Sequence, residues 1–83
     1  MTNLLLTNLP YNVTDREVRE WVESRGIGTK SIRVVRDYVT GASPSFGQVE
    51  LKSRTALKDA IFILDGKRMR NQTIRAKADP AYA

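Results

Sequence analysis

Apolar and polar positions follow one another along the chain in blocks whose period switches between that of a strand and that of a helix. Leu4-Leu5-Leu6-Thr7-Asn8-Leu9 is a short apolar run closed by Pro10 and predicts a first strand. Thr14 followed by Glu17 has the spacing of a capping box, with Val13 placed to staple the start of a helix. That helix carries Val18, Trp21, Val22 and the aliphatic stem of Arg25 on one stripe, and Gly26 and Gly28 end it. Residues 31–38 predict a second strand with Ile32 and Val34 on one side and Arg33 on the other. The run Thr40-Gly41-Ala42-Ser43-Pro44 has loop composition and leads into a third strand over residues 45–51. Ser53 is the expected cap of a second helix buried through Ala56, Ala60, Ile61 and Leu64. Asp65-Gly66 turns the chain, and Asn71 supplies a positive φ ahead of a last strand over residues 73–78.

The order is therefore βαββαβ. Two helices suffice to cover one face of a four-stranded antiparallel sheet, which gives a two-layer α+β sandwich of the ferredoxin-like, split-βαβ type. Its other face stays open, and function is to be sought there. Residues 1–83 read as a single domain without a repeat or an internal linker, and residues 79–83 as a fraying tail.

Alternation assigns the side chains of the open face strand by strand. With Gly47, Val49 and Leu51 buried, Phe46, Gln48 and Glu50 point outward. With Ile74 and Ala76 buried, Thr73, Arg75 and Lys77 point outward. Leu5 shares the side of Thr7 while Leu4 and Leu6 go to the core, and Arg33 selects an outward set that Val35 joins. Phe46 is a large aromatic predicted on an open, largely polar face.

Charge adds a partner class. The 14 basic and 9 acidic residues leave a formal charge of +5, which favours polyanionic partners. The cations are sorted: Arg25, Lys30, Arg33 and Arg36 form one acid-free segment and Lys67, Arg68, Arg70, Arg75 and Lys77 another. The acids Asp15, Glu17, Glu20 and Glu23 gather in the first helix. There is no Cys, which removes disulfides and thiolate metal sites, and no His, the commonest general base. No apolar run has membrane-spanning length, and a cytoplasmic setting is the expectation.

The segments Leu4-Leu5-Leu6-Thr7-Asn8-Leu9 and Ser45-Phe46-Gly47-Gln48-Val49-Glu50-Leu51 resemble the ribonucleoprotein hexapeptide and octapeptide of the RNA recognition motif. Agreement extends through Pro10, Thr14, Val18, Val22, Asp37, Thr40, Gly41, Ala56, Ala60, Leu64, Gly66 and Ile74. The resemblance implies a strand order four-one-three-two, which sets the two basic segments on opposite edges of a nearly neutral central pair. It implies a noncatalytic domain, without cofactor or metal, that binds single-stranded RNA, or single-stranded DNA, across the open sheet. On the open face assigned by alternation, the candidate binding residues are Leu5, Thr7, Arg33, Phe46, Gln48, Arg75 and Lys77.

Two stacking positions depart from the family pattern, with Leu5 and Gln48 where RNA binders usually carry aromatics. Each lost stacking platform costs roughly 1–3 kcal/mol, so weak to moderate affinity with limited sequence discrimination is expected. Structural roles compete at each position. Phe46 could pack on Arg33 or the stem of Lys77, Arg33 could pair with Glu50, and Arg75 and Lys77 could discourage edge pairing. Trp21 belongs to the core stripe, Tyr11 covers the sheet end, and Tyr82 is a candidate to fold back over the sheet. Phe62 lies off the buried stripe of the second helix and is the candidate anchor for a protein partner, as is the sheet face itself. A monomer is expected. An acylphosphatase-like hydrolase is disfavoured, because Pro10-Tyr11-Asn12-Val13 lacks the glycine and arginine of a phosphate cradle.

Overall fold

The computed structural model describes residues 4–10, 12–35, 45–52 and 57–79. Tyr11, Arg36, Asp37, the loop 40–44, Ser53, Ala56 and Tyr82 lie outside them. Strands β1 (Leu4–Leu9), β2 (Thr29–Val35), β3 (Ser45–Leu51) and β6 (Arg75–Ala78) form an antiparallel sheet in the order β2-β3-β1-β6. Helices α1 (Asp15–Glu23) and α2 (Leu57–Leu64) pack on one face, and β4 (Arg68–Met69) and β5 (Gln72–Thr73) make a small hairpin.

The core lies between sheet and helices. Leu4, Leu6, Leu9, Val49 and Ile74 meet Val18 and Val22 of α1 and Ala60 and Leu64 of α2, all buried. Ile61 and Trp21, placed on buried stripes by their spacing, are half-buried against this cluster. The Trp21 indole N–H is satisfied by the Arg68 carbonyl, to which it donates at 2.9 Å.

Thr14 caps α1 as expected, its hydroxyl accepting from the Glu17 N–H at 3.1 Å, and Val13 and Val18 are both buried at the staple. The Glu17 side chain is used differently from the box: both its oxygens accept from the Arg70 guanidinium, one at 2.7 Å from Nε. A reciprocal cap is worth less than a two-pronged charged pair, and Arg70 lies within reach. Gly26, at φ 84°, ends the helix region by donating to the Glu23 carbonyl at 3.0 Å.

Two corrections concern strands. The second strand begins at Thr29, which is buried, and an irregularity between Thr29 and Ser31 separates its first residue from the regular register. The last strand is split: residues 72–73 pair with residues 68–69, and only residues 75–78 join the sheet. Arg70 and Asn71 form the tight turn between β4 and β5, both at positive φ (52° and 77°), as a two-residue hairpin requires. Asp79, grouped with the tail by sequence, is buried at the end of β6.

At the start of β2 the Thr29 hydroxyl donates to Glu23 Oε2 at 2.7 Å. This bond, assisted by the Thr29 backbone and by Arg19 and Lys52, outweighs desolvation and lowers the Glu23 carboxyl below its ordinary value. Folding thus favours the charged form. The contribution is complete above the unfolded-state value, near pH 4.3, and is lost as pH falls through the lower folded value. Glu23→Gln is expected to flatten the decline of stability between about pH 5 and pH 3, read as urea midpoints across that range.

Candidate nucleic-acid interface

Side chains on the open face are arranged by strand register. Arg33 on β2 stands opposite Gln48 on β3, Gln48 opposite Leu5 on β1, and Leu5 opposite Lys77 on β6. Adjacent strands lie about 4.8 Å apart, so this row spans about 14 Å from one cation to the other. A second row runs beside it, with Val35 opposite Phe46 and Thr7 opposite Arg75. Phe46 is 37% exposed and lies on the side away from the helices. The structure therefore brings all seven predicted site residues onto two neighbouring rows.

Local geometry in the second row comes from a bulge. Leu6 pairs with Gly47 and Leu9 with Ser45, so Thr7 and Asn8 together oppose the single residue Phe46. Asn8 takes the left-handed conformation at φ 64°, one that Asn tolerates better than most residues. The extra residue turns Leu9 inward, where strict alternation would have pointed it outward, and it is fully buried. Gly47 makes room for it, since a methyl group there would come within 3.2 Å of Leu9 Cδ1. Asn8 also ties the bulge to the hairpin: its amide donates to the Thr73 carbonyl at 2.9 Å and its oxygen accepts from Gln72 at 3.4 Å.

The cations divide by task. Arg33 and Lys77 end the first row, both exposed, and among the described residues neither forms an ion pair. Glu50 pairs with Lys30 at 3.8 Å and accepts from Ser31 at 3.3 Å; Arg33 lies opposite Gln48 instead. Arg75 is partly committed, its Nε standing 3.0 Å from Asp65 Oδ1 at the edge of β6. Arg25 lies 4.3 Å over the Trp21 ring, and Arg70 is held by Glu17 and Asn12, which raises its already high pKa chiefly through the Glu17 hydrogen bond. The two basic segments thus flank the platform as expected, yet several of their members serve as structural anchors. The cross-strand partner of Phe46 is Val35, and Arg33 is its diagonal neighbour on β2.

The described residues include no group of three acids placed to hold a metal, and no helix among them is long and apolar enough to cross a membrane. Among the described residues the face offers the exposed ring of Phe46, an amide, apolar and hydroxyl side chains, and cations at either end.

An open four-stranded antiparallel sheet in this order, with two helices on its other face, is the architecture of the RNA recognition motif, and the chain belongs to the RNA recognition motif family, whose profile matches residues 4–75. Members of that family are noncatalytic RNA-binding domains. Among individual relatives, the protein Sex-lethal of Drosophila melanogaster is 36% identical over 75 residues, covering 89% of this chain and 21% of Sex-lethal. The chain thus spans about a fifth of the length of the curated relatives it matches. In a Sex-lethal protein–RNA complex the similar domain superposes with a TM-score of 0.77 at 32% identity, over 94% of this chain and 46% of that one. The RRM3 domain of Mip6 gives a TM-score of 0.81 at 25% identity, over 93% of this chain and 90% of that domain.

Proposed function

We propose that this domain binds single-stranded RNA across its open sheet with weak to moderate affinity and limited sequence discrimination. The observation that carries this is the row Arg33–Gln48–Leu5–Lys77 beside the exposed ring of Phe46. A base stacks on Phe46, and Arg33 and Lys77 take phosphates at opposite edges. Leu5 gives apolar contact without a ring, and Gln48 offers a donor and an acceptor to a base edge. With Phe46 as the one stacking platform among the described residues of the face, phosphate contacts contribute a large share of the binding, so affinity falls steeply with salt.

Titration with short mixed single-stranded oligonucleotides, followed by NMR at two salt concentrations, tests the proposal. Shifts are expected at Leu5, Thr7, Phe46 and Gln48, and a response confined to the helices would overturn it. Phe46→Ala is expected to cost roughly 1–3 kcal/mol. Arg33→Gln and Lys77→Gln should each reduce the steepness of the log–log salt dependence by about 0.7.

Gln48→Phe makes the converse test. It restores a ring on the exposed side of β3, directly opposite Leu5 and Arg33, and is expected to tighten binding by up to roughly 1–3 kcal/mol. Unchanged affinity would show that the missing aromatic is not what limits binding.

One observation supports a second reading, a protein contact made through α2: Phe62 is 85% exposed. On that reading Phe62→Glu abolishes binding of a protein partner while leaving the oligonucleotide titration unchanged. Loss of RNA affinity in the same variant would instead assign Phe62 to the nucleic acid.

A further inference from the structure

The hairpin between α2 and β6 is more than a connection. Its ladder extends past its four strand residues, because Ile74 N–H donates to the Lys67 carbonyl at 2.7 Å and Gly66 N–H to the Ile74 carbonyl at 2.8 Å. The outer strand of the hairpin therefore runs alongside the segment that becomes β6. Cross-strand partners share a side of their ladder, so Arg68 and Thr73, which oppose each other, point the same way. Met69 and Gln72 form the other side, with Met69 buried and Gln72 turned to Asn8. Along the chain, Thr73 is exposed, Ile74 fully buried and Arg75 exposed. Alternation thus places Thr73 and Arg68 on the same side as Arg75 and Lys77. They make a third row beyond Thr7 and Arg75, in the two-stranded sheet that adjoins the open one, at a two-residue step of about 6.8 Å along the chain.

That rung is held in place from several directions. The Trp21 indole fixes the Arg68 carbonyl, Glu17 and Asn12 grip Arg70 at the turn, and Asn8 of the central strand donates to the Thr73 carbonyl. All of these contacts use the backbone or the turn residue. The Arg68 side chain is exposed and, among the described residues, forms no ion pair. Arg70, by contrast, is tied to Glu17 and Asn12. A guanidinium and a hydroxyl presented on a pinned backbone lose little freedom when they take up phosphate oxygens.

We infer that Arg68 and Thr73 form a backbone subsite for single-stranded nucleic acid, which receives the sugar–phosphate of a nucleotide lying past the one stacked on Phe46. The inference rests on the platform reading above and extends it. It predicts that the strand leaves the sheet over the β6 side, toward the hairpin, and that binding depends on oligonucleotide length. A short oligonucleotide of about four nucleotides fills the first two rows, and one of about eight reaches the third.

The test compares wild type, Arg68→Gln and Thr73→Val against both lengths at two salt concentrations. For Arg68→Gln, affinity for the longer RNA is expected to fall about five-fold. Its log–log salt slope should lose about 0.7 in magnitude, with binding of the shorter RNA unchanged. Thr73→Val should weaken the longer RNA alone, without altering the slope. The Trp21 indole N–H resonance reports whether the hairpin remains docked. If wild type binds both lengths and Arg68→Gln changes neither affinity nor slope for the longer one, the subsite is overturned while the platform stands. Equal losses at both lengths would also overturn it, by placing Arg68 among the first two rows. If wild type binds neither length, the platform reading falls and the subsite with it.

Discussion

The bulge at Asn8 is the constraint on which the rest of the molecule depends. β1 is a central strand, bonded to β3 on one side and β6 on the other, so an extra residue within it is felt across the sheet. One consequence is hydrophobic: Leu4, Leu6 and Leu9 all reach the core, which an uninterrupted two-residue period forbids. A second is that Gly47 must be bare where Leu9 crosses it. A third is that the Asn8 amide, freed from the regular strand, becomes the link through which the hairpin is attached to the sheet. Core, platform and hairpin thus share one residue in a left-handed conformation.

Positive charge is distributed on this scaffold by what each cation can reach. Arg70 sits on a tight turn whose left-handed backbone costs about 1–2 kcal/mol, and its hold on Glu17 and Asn12 offsets part of that. Arg25 covers the half-buried Trp21 ring, and Lys30 meets Glu50. Each of these surface contacts is weak alone. Together they sort the cations, leaving Arg33 and Lys77 to face outward at the two ends of one row.

Much of this was legible in the sequence, and the reason differs from element to element. β3 alternates strictly, so the outward placement of Phe46 and Gln48 follows from parity alone. Thr14 and Val13 announce the start of α1 through contacts only a few residues apart. The bulge was hidden because four of the six residues of Leu4–Leu9 are leucines, three of them consecutive, so the run sets up no alternation against which the insertion of Asn8 stands out. The hairpin was hidden because its strands are two residues long, with Met69 the one buried side chain in them. The division among cations was hidden for a different reason, since Arg70 and Glu17 are 53 residues apart and only the fold brings them together.

The partial commitment of Arg75 has its origin at the edges of the sheet. β2 and β6 are the outer strands, and each would present unpaired amides to another chain. A carboxylate at a helix end meets one amide on each: Asp15 accepts from Val34 N–H and Asp65 from Ala76 N–H, both at 3.0 Å. The two positions are not electrostatically equal. Asp15 opens α1, where the helix dipole favours an anion, whereas Asp65 follows the last residue of α2, where the dipole opposes one. A cation is needed beside Asp65 and not beside Asp15, and Arg75 supplies it. With carboxylates blunting both edges and the helices on one face, the open face is the broad surface left for recognition. On that face Lys77, rather than Arg75, is the β6 cation without such a prior tie among the described residues.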